Sequence, residues 1–336
     1  MTESEYGLRP RPSKESTPVT DADESPERTA LDPGTWVVGV DGSSCARNAL
    51  VWAAANAPGR AAKLQLISAW QVPVVGAYPA AGSVVLPFDD SEFREAAGAE
   101  VEELAEQIGG DLSIPVEGCV AHGNSAAVLL EASSNGSLLV IGSRGRGGFA
   151  RLLLGSTSTQ CATHATVPTV IVRNDATAAA TERILVGFDG SPNSMAALRW
   201  AVDFAAPGTT VTAAWVWDAT PLAVGADAFF FPDASDLAAE RFHHLAEAVV
   251  ADAAAAEVVL EQIFIRGTPR SALSDAARDA DLLVVGARGY GAVGAALLGS
   301  VSTWLLHHVH IPIAVVPLAD EADEDEEPPA DGPPDS

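Results

Sequence analysis

Short apolar runs alternate with amphipathic stretches along most of the chain. The runs at 138–141 and 282–285 hold no polar position at all, so both of their faces would be buried, as in the strands of a parallel sheet. Stretches such as 45–56 and 156–165 instead show helical character. The first half predicts strands at 36–40, 64–70, 115–121, 138–141 and 169–172, with helices at 45–56, 91–108, 125–133 and 156–165. The second predicts strands at 184–188, 210–216, 261–265, 282–285 and 313–316, with helices between them and one at 300–309. Alternating strands and helices predict an α/β fold: two tandem, doubly wound, Rossmann-like domains, each with a five-stranded, mostly parallel sheet. Such sheets bind ligands beyond the strands' carboxyl ends, where the strand order reverses. Asp41, Gly123 and Gly142 fall at such ends.

The two halves are an internal repeat. The run from Trp36 to Asp41-Gly42-Ser43 returns from Ile184 to Asp189-Gly190-Ser191, and Ala49-Leu50-Val51-Trp52-Ala53 returns as Ala197-Leu198-Arg199-Trp200-Ala201. A period of about 145 residues is a duplicated domain rather than a solenoid unit. The pattern places domains at 34–173 and 182–318, joined by an Ala/Thr-rich linker at 174–181. The segment 1–33, rich in Pro, Ser, Thr, Asp and Glu, and the acidic, Pro-rich 319–336 are expected to be disordered. The acidic tail reads as solubilising, with a docking segment for a partner as the other reading.

Composition narrows the functional classes. A net charge of -26 argues against a nucleic-acid backbone as partner. No apolar run reaches the length of a membrane span, and the N-terminus lacks the apolar core of a signal peptide. Cys45, Cys119 and Cys161 have no close spacing and read as reduced thiols, which fits a cytoplasmic protein. His243-His244 and His307-His308 are adjacent pairs that diverge in direction on a helix, so no protein-borne metal site is expected.

The candidate chemistry lies in the glycines. Gly142-Ser143-Arg144-Gly145, nine residues and Gly155-Ser156 recur as Gly286-Ala287-Arg288-Gly289, nine residues and Gly299-Ser300. Each copy follows an apolar strand, and its Gly-Ser pair opens a helix. Glycine lets the backbone approach a ligand, and a helix N-terminus offers unpaired N–H groups to an anion, so each copy reads as a phosphate cradle. The hydroxyls of Ser156 and Ser300 are expected to cap their helices and to donate to phosphate. Two plainer readings stand beside this: the glycines could form only tight turns, and Asp41 and Asp189 could only cap the next helix through an Asx-turn. A P-loop is excluded because neither Lys14 nor Lys63 lies near a glycine loop. The run 145–148 also lacks the full dinucleotide fingerprint.

A strand ending in Asp-Gly-Ser, the Gly-x2-Gly-x9-Gly-Ser spacing and a last apolar strand after Pro168 or Pro312 resemble the universal stress protein family in its tandem two-domain form. The resemblance implies that ATP is held between the first strand's end and the glycine loop. Asp41, Gly42, Asp189 and Gly190 would lie near the ribose and phosphates. Ala69 and Val216 would meet the adenine edge through backbone groups, and Gly123 and Gly267 would let the backbone pass close. Gly142, Arg144, Gly145, Gly155 and Ser156 would hold the phosphates in one half, and Gly286, Arg288, Gly289, Gly299 and Ser300 in the other. Carboxylates repel phosphates, so Asp41 and Asp189 imply a bridging Mg2+ or a ribose contact. Arg146 becomes Tyr290 and Ser143 becomes Ala287 in the second copy, which leaves that loop one cation fewer.

The function implied is that of a nucleotide-dependent regulator in the stress response. It would not be an enzyme beyond slow ATP hydrolysis. The alternatives are a slow ATPase and a nucleotide-free interaction protein. The final strands of the two halves would pair as an intrachain pseudo-dimer, and chains could form a homodimer. Occupancy would fix loops 71–90 and 218–236 and so alter binding of a regulatory partner.

Overall fold

The computed structural model describes residues 20–21, 34–71, 91–146, 154–173, 179–218, 240–244, 249–289 and 298–318. Nearly all of loops 71–90 and 218–236, together with Tyr290 and both tails apart from 20–21, lies outside the described residues.

In the first half, β2 (Thr35–Gly39), α1 (Ser44–Asn56), β3 (Lys63–Trp70), α2 (Ser91–Gly109), β4 (Val116–His122), α3 (Ser125–Ser133), β5 (Leu138–Gly142), α4 (Ser156–His164) and β6 (Thr169–Val172) follow in order. The second half repeats them as β7 (Arg183–Phe188), α5 (Pro192–Phe204), β8 (Thr210–Trp217), α6 (Val250–Ala255), β9 (Val259–Arg266), α7 (Pro269–Ala276), β10 (Leu282–Gly286), α8 (Ser300–His308) and β11 (Ile313–Val316). Residues 240–244 are also helical. Thr20–Asp21, inside the segment expected to be disordered, forms a two-residue strand β1 alongside Cys119 and Val120 of β4.

The strands form one eleven-stranded sheet in the order β1-β4-β3-β2-β5-β6-β11-β10-β7-β8-β9. Every pairing is parallel except that of β6 with β11, where the two halves meet. The last strands of the two halves therefore join, with Val170 opposite Ala314. Within each half the order reverses between the first and fourth strands, at β2/β5 and β7/β10, which is where a doubly wound sheet opens a crevice.

Local sequence explains the elements that border these crevices. Leu138–Ile141 and Leu282–Val285 are buried throughout, as apolar runs covered on both faces should be. Ser43 caps α1 by accepting from the Ala46 N–H at 3.1 Å, and Ser191 caps α5 by accepting from the Ser194 N–H at 3.2 Å. Pro192 occupies the first turn of α5, where its missing N–H costs nothing. Both helices bury faces spaced by three and four residues: Ala49, Trp52, Ala53 and Asn56 on α1, and Ala197, Leu198, Ala201 and Phe204 on α5.

Trp36 and Trp52 of the first half stack on Phe204 of the second with ring centroids 5.9 and 6.0 Å apart, and Trp200 stacks on it at 4.9 Å. The Arg60 guanidinium lies 4.8 Å over the Phe204 ring. Asn56 fastens the end of the linker by accepting from the Thr181 N–H at 2.9 Å.

Candidate functional site

Each crevice begins where its first strand stops. In the first half the Val40 N–H donates to Ile67 C=O at 2.9 Å, so alternate backbone groups of β3, at Ile67 and Ala69, face β2. The chain leaves the sheet at Asp41, and the backbone of Ala69 is turned to the crevice beyond the last pairing. The same register in β7 and β8 puts Val216 at the equivalent place. Gly123 and Gly267 end the next strands over, where their N–H groups donate to Trp70 and Trp217 C=O, each at 3.0 Å.

Asp41 and Asp189 form the Asx-turns allowed for above. Their Oδ1 atoms accept from the N–H two residues on, Ser43 at 3.0 Å and Ser191 at 2.9 Å. Gly42 and Gly190 between them have φ of +73° and +78°, a conformation costly for any residue with a Cβ. The turn does not exhaust the carboxylate. Asp41 Oδ2 accepts from the Arg146 N–H at 3.0 Å and so reaches across to the glycine loop. Ser43 Oγ donates to Arg144 C=O at 3.2 Å and ties the same two segments together.

The glycines of the loop have separate duties. A Cβ on Gly142 would lie 2.6 Å from the Cys45 carbonyl carbon, and one on Gly286 would lie 2.8 Å from that of Asn193. These two glycines admit the first turns of α1 and α5 against the strand ends. A Cβ on Gly145 or Gly289 would lie 2.5 Å from Oδ2 of Asp41 or Asp189. Around Gly155 and Gly299 a Cβ would meet nothing closer than 3.4 Å. Their N–H groups donate to Ser143 and Ala287 C=O, each at 2.8 Å, and fold the loop back on the helix start.

The residues at the two cradle-helix N-termini correct one expectation. Ser156 and Ser300 do not cap α4 and α8, because they already stand at the first helical position. The cap positions are Gly155 and Gly299, and neither helix has a side-chain cap. The helices α1, α3 and α5 are capped by Ser43, Asn124 and Ser191. The cradle helices thus keep first-turn N–H groups that no capping side chain has taken.

Cationic side chains differ in availability. Among the described residues the guanidinium groups of Arg144 and Arg288 make no ion pair. Arg146, the loop cation that the second copy lacks, pairs with Glu100 at 3.3 Å through an exposed contact. Such pairs are worth little, so this arginine is readily released.

In the second half these groups enclose a cavity of about 430 Å3, floored by Ala214 and Val285 and bordered by Pro269, Leu273 and Leu298. Seven of the nine second-half residues singled out in the sequence line it: Asp189, Val216, Gly286, Arg288, Gly289, Gly299 and Ser300. Gly190 and Gly267 do not. In the first half, hydrogen bonds and close approaches bring Asp41, Gly142, Arg144, Gly145 and Gly155 to one crevice. The sequence reading missed Ser158 and Ser302, whose Oγ atoms donate to Ser143 and Gly286 C=O, each at 2.8 Å, and brace the loop. Their signal was present: a serine recurs two residues after Ser156 and after Ser300.

A magnesium ion would find Asp189 at the second crevice and Asp41 at the first, where Glu100 is already paired with Arg146. A single carboxylate suffices for an ion that takes most of its ligands from phosphate and water. Among the described residues no group of three or more His, Cys, Asp and Glu could hold a metal, and no helix is long and apolar enough to cross a membrane. Burial pushes the Cys161 thiol up to about 12, which leaves it unreactive.

A model of the universal stress protein family matches residues 35–173 and again residues 180–317. A universal stress protein of Mycolicibacterium smegmatis is 31% identical over 291 residues, covering 83% of this chain and 96% of that protein. A universal stress protein of Mycobacterium tuberculosis H37Rv is 29% identical over 290 residues, covering 83% and 95%. The crystal structure of a universal stress protein from Archaeoglobus fulgidus superposes with a TM-score of 0.62 at 20% identity, over 85% of this chain and 98% of that one; it is a likeness of fold.

Proposed function

The chain belongs to the universal stress protein family, with one domain of that family in each half, and on that premise we propose that each half binds one ATP, with magnesium, and that the protein regulates a stress response through nucleotide occupancy. The observation that carries this reading is the second-half cavity, where Arg288, without an ion pair among the described residues, the start of α8 with no side-chain cap and the Asp189 carboxylate converge at a strand-order switch point. Backbone N–H groups of the glycine loop and of the first helical turn would hold the phosphates. Arg144 and Arg288 would neutralise part of their charge. The backbone of Ala69 and Val216 would meet the adenine edge, and Ala214 and Val285 supply an apolar floor for the base. Bound magnesium would screen the phosphates from Asp41 and Asp189.

We read binding rather than turnover. Both Asp41 oxygens already accept backbone N–H groups, which ties that carboxylate to the loop, and Glu100, the second carboxylate at that crevice, is paired with Arg146 rather than free to orient water. Regulation then comes from the difference in nucleotide affinity between conformations.

Denaturing freshly purified protein and separating the released small molecules by chromatography should yield ATP, up to one per domain. Titration of stripped protein with Mg-ATP should show saturable heat without matching phosphate release. Neither nucleotide nor heat would overturn the reading. Phosphate released at the rate ATP is consumed, and lost in Asp41→Ala while binding survives, would replace it with the ATPase.

A further inference from the structure

Arg173 follows β6 directly and is buried, with 9% of its surface exposed. Its Nη1 crosses to the other half and donates to the carbonyls of Leu306 and His307, each at 3.3 Å, in the last turn of α8. Carbonyls there have no partner within the helix and carry the negative end of its dipole, so a buried cation is well matched to them. The opposite end of α8 is Gly299-Ser300, on the wall of the second-half cavity. A helix of nine residues moves as one body, and what fixes its last turn also fixes where its first-turn N–H groups point.

Arg173 is in turn held by the first half. Asn48 Nδ2, on α1, donates to its carbonyl at 3.3 Å. The Ser143 N–H, within the first glycine loop, donates to Val172 C=O at 2.8 Å, one residue before Arg173. The connection runs one way. Ala287 donates to Val316 C=O as Ser143 does to Val172, so the counterpart of Arg173 is Pro317 and that of Asn48 is Ala196. Neither side chain can donate a hydrogen bond.

We propose that Arg173 is a positioning residue for the second nucleotide site: it holds α8 from the first half and sets the phosphate-facing end of that helix relative to the first glycine loop. The inference rests on the reading of the glycine loops as nucleotide sites. Occupancy of the first site, acting through Ser143 and Val172, would reach α8 through this side chain, and Pro317 offers no equivalent contact in return.

The test uses the full chain with Arg173→Met, which keeps the apolar stem and removes the donor, and Arg173→Lys, which keeps the charge. Mg-ATP affinity is measured for each site alone, with the other blocked by Gly145→Val or Gly289→Val, and amide exchange of residues 300–308 is followed in nucleotide-free protein. Arg173→Met should weaken the second site about three- to tenfold and leave the first unchanged, with α8 amides exchanging about tenfold faster. Arg173→Lys should recover part of both effects. Unchanged second-site affinity, or equal weakening at both sites, would overturn the proposal and leave Arg173 a packing residue. Absence of Mg-ATP binding in the parent protein with Arg173 intact would instead condemn the nucleotide reading itself, and this inference with it.

Discussion

Asp41 divides its two carboxylate oxygens between its own turn and the glycine loop, and that division gives the two loop glycines different sensitivities. A methyl on Gly145 would press 2.5 Å from Oδ2 and force the carboxylate off the Arg146 N–H. Gly145→Ala should therefore cost about 1–3 kcal/mol of stability as well as first-site affinity. A methyl on Gly155 meets only ordinary contacts, 3.4 Å from Ser143 O and from Ser158 Oγ, at a φ of -82° that any residue adopts. Gly155→Ala should keep the wild-type melting temperature and weaken Mg-ATP binding about tenfold, because the methyl would crowd the start of α4 where the proposed reading puts a phosphate. Wild-type affinity in Gly155→Ala would refute a phosphate against this residue. The glycine spacing was legible because it occurs twice. The capping role given to Ser156 and Ser300 was misread, since the helices predicted to start at those serines put the cap one residue earlier, at glycine. Ser158 and Ser302 were missed because a serine inside a helix reads as a surface residue until the loop folding over it is known.

At the level of elements, strands covered on both faces were the most legible. Thr169–Val172 and Ile313–Val316 have the bounds their apolar runs predict. The edge strand β9 begins two residues before its predicted start, because Val259 is 50% exposed and gives no burial pattern to read. The first strand of the second half is registered by a polar device. Asp281 accepts from the Glu182 and Arg183 N–H groups at 3.2 and 2.9 Å and from the Arg183 guanidinium at 2.8 Å, which pins the start of β7 to the start of β10. Burial alone would raise the Asp281 carboxyl. The hydrogen bond from the Arg183 side chain, those from the two N–H groups and the Arg183 charge outweigh it and hold the carboxyl below its ordinary 3.8. A depressed carboxylate stabilises the fold above its unfolded pKa, and that contribution fades as pH falls through the folded value. Asp281→Asn should thus lower stability by about 0.5–1 kcal/mol at pH 7, after allowance for solvent screening, and the gap between the two proteins should close below about pH 4. Thermal melts of both across that range would check it. A gap that persists at acid pH would assign the effect to packing instead.

Over the whole molecule the question is whether two homologous halves are two proteins or one. The seam pairs β6 with β11 antiparallel, and beside it Phe204 of the second half is stacked against Trp36 and Trp52 of the first. That contact was not legible from the repeat, because the counterpart of Phe204 in the first half is Asn56, which spends its side chain on the linker. A phenylalanine only 6% exposed among three tryptophan rings should cost about 3–5 kcal/mol when cut to alanine. Where that cost is felt decides the issue. If the seam couples the halves, Phe204→Ala removes packing from both sides at once, and amides of α1 in the first half should exchange faster by the same factor as those of α5. A single urea transition should then shift to a lower midpoint without splitting. If the halves are independent, α5 amides would speed up while α1 kept wild-type protection, and the transition would divide in two. The second result would also remove the mechanical basis for passing nucleotide occupancy from one half to the other, because an α8 clamped to an independently moving domain has no fixed frame against which to be positioned.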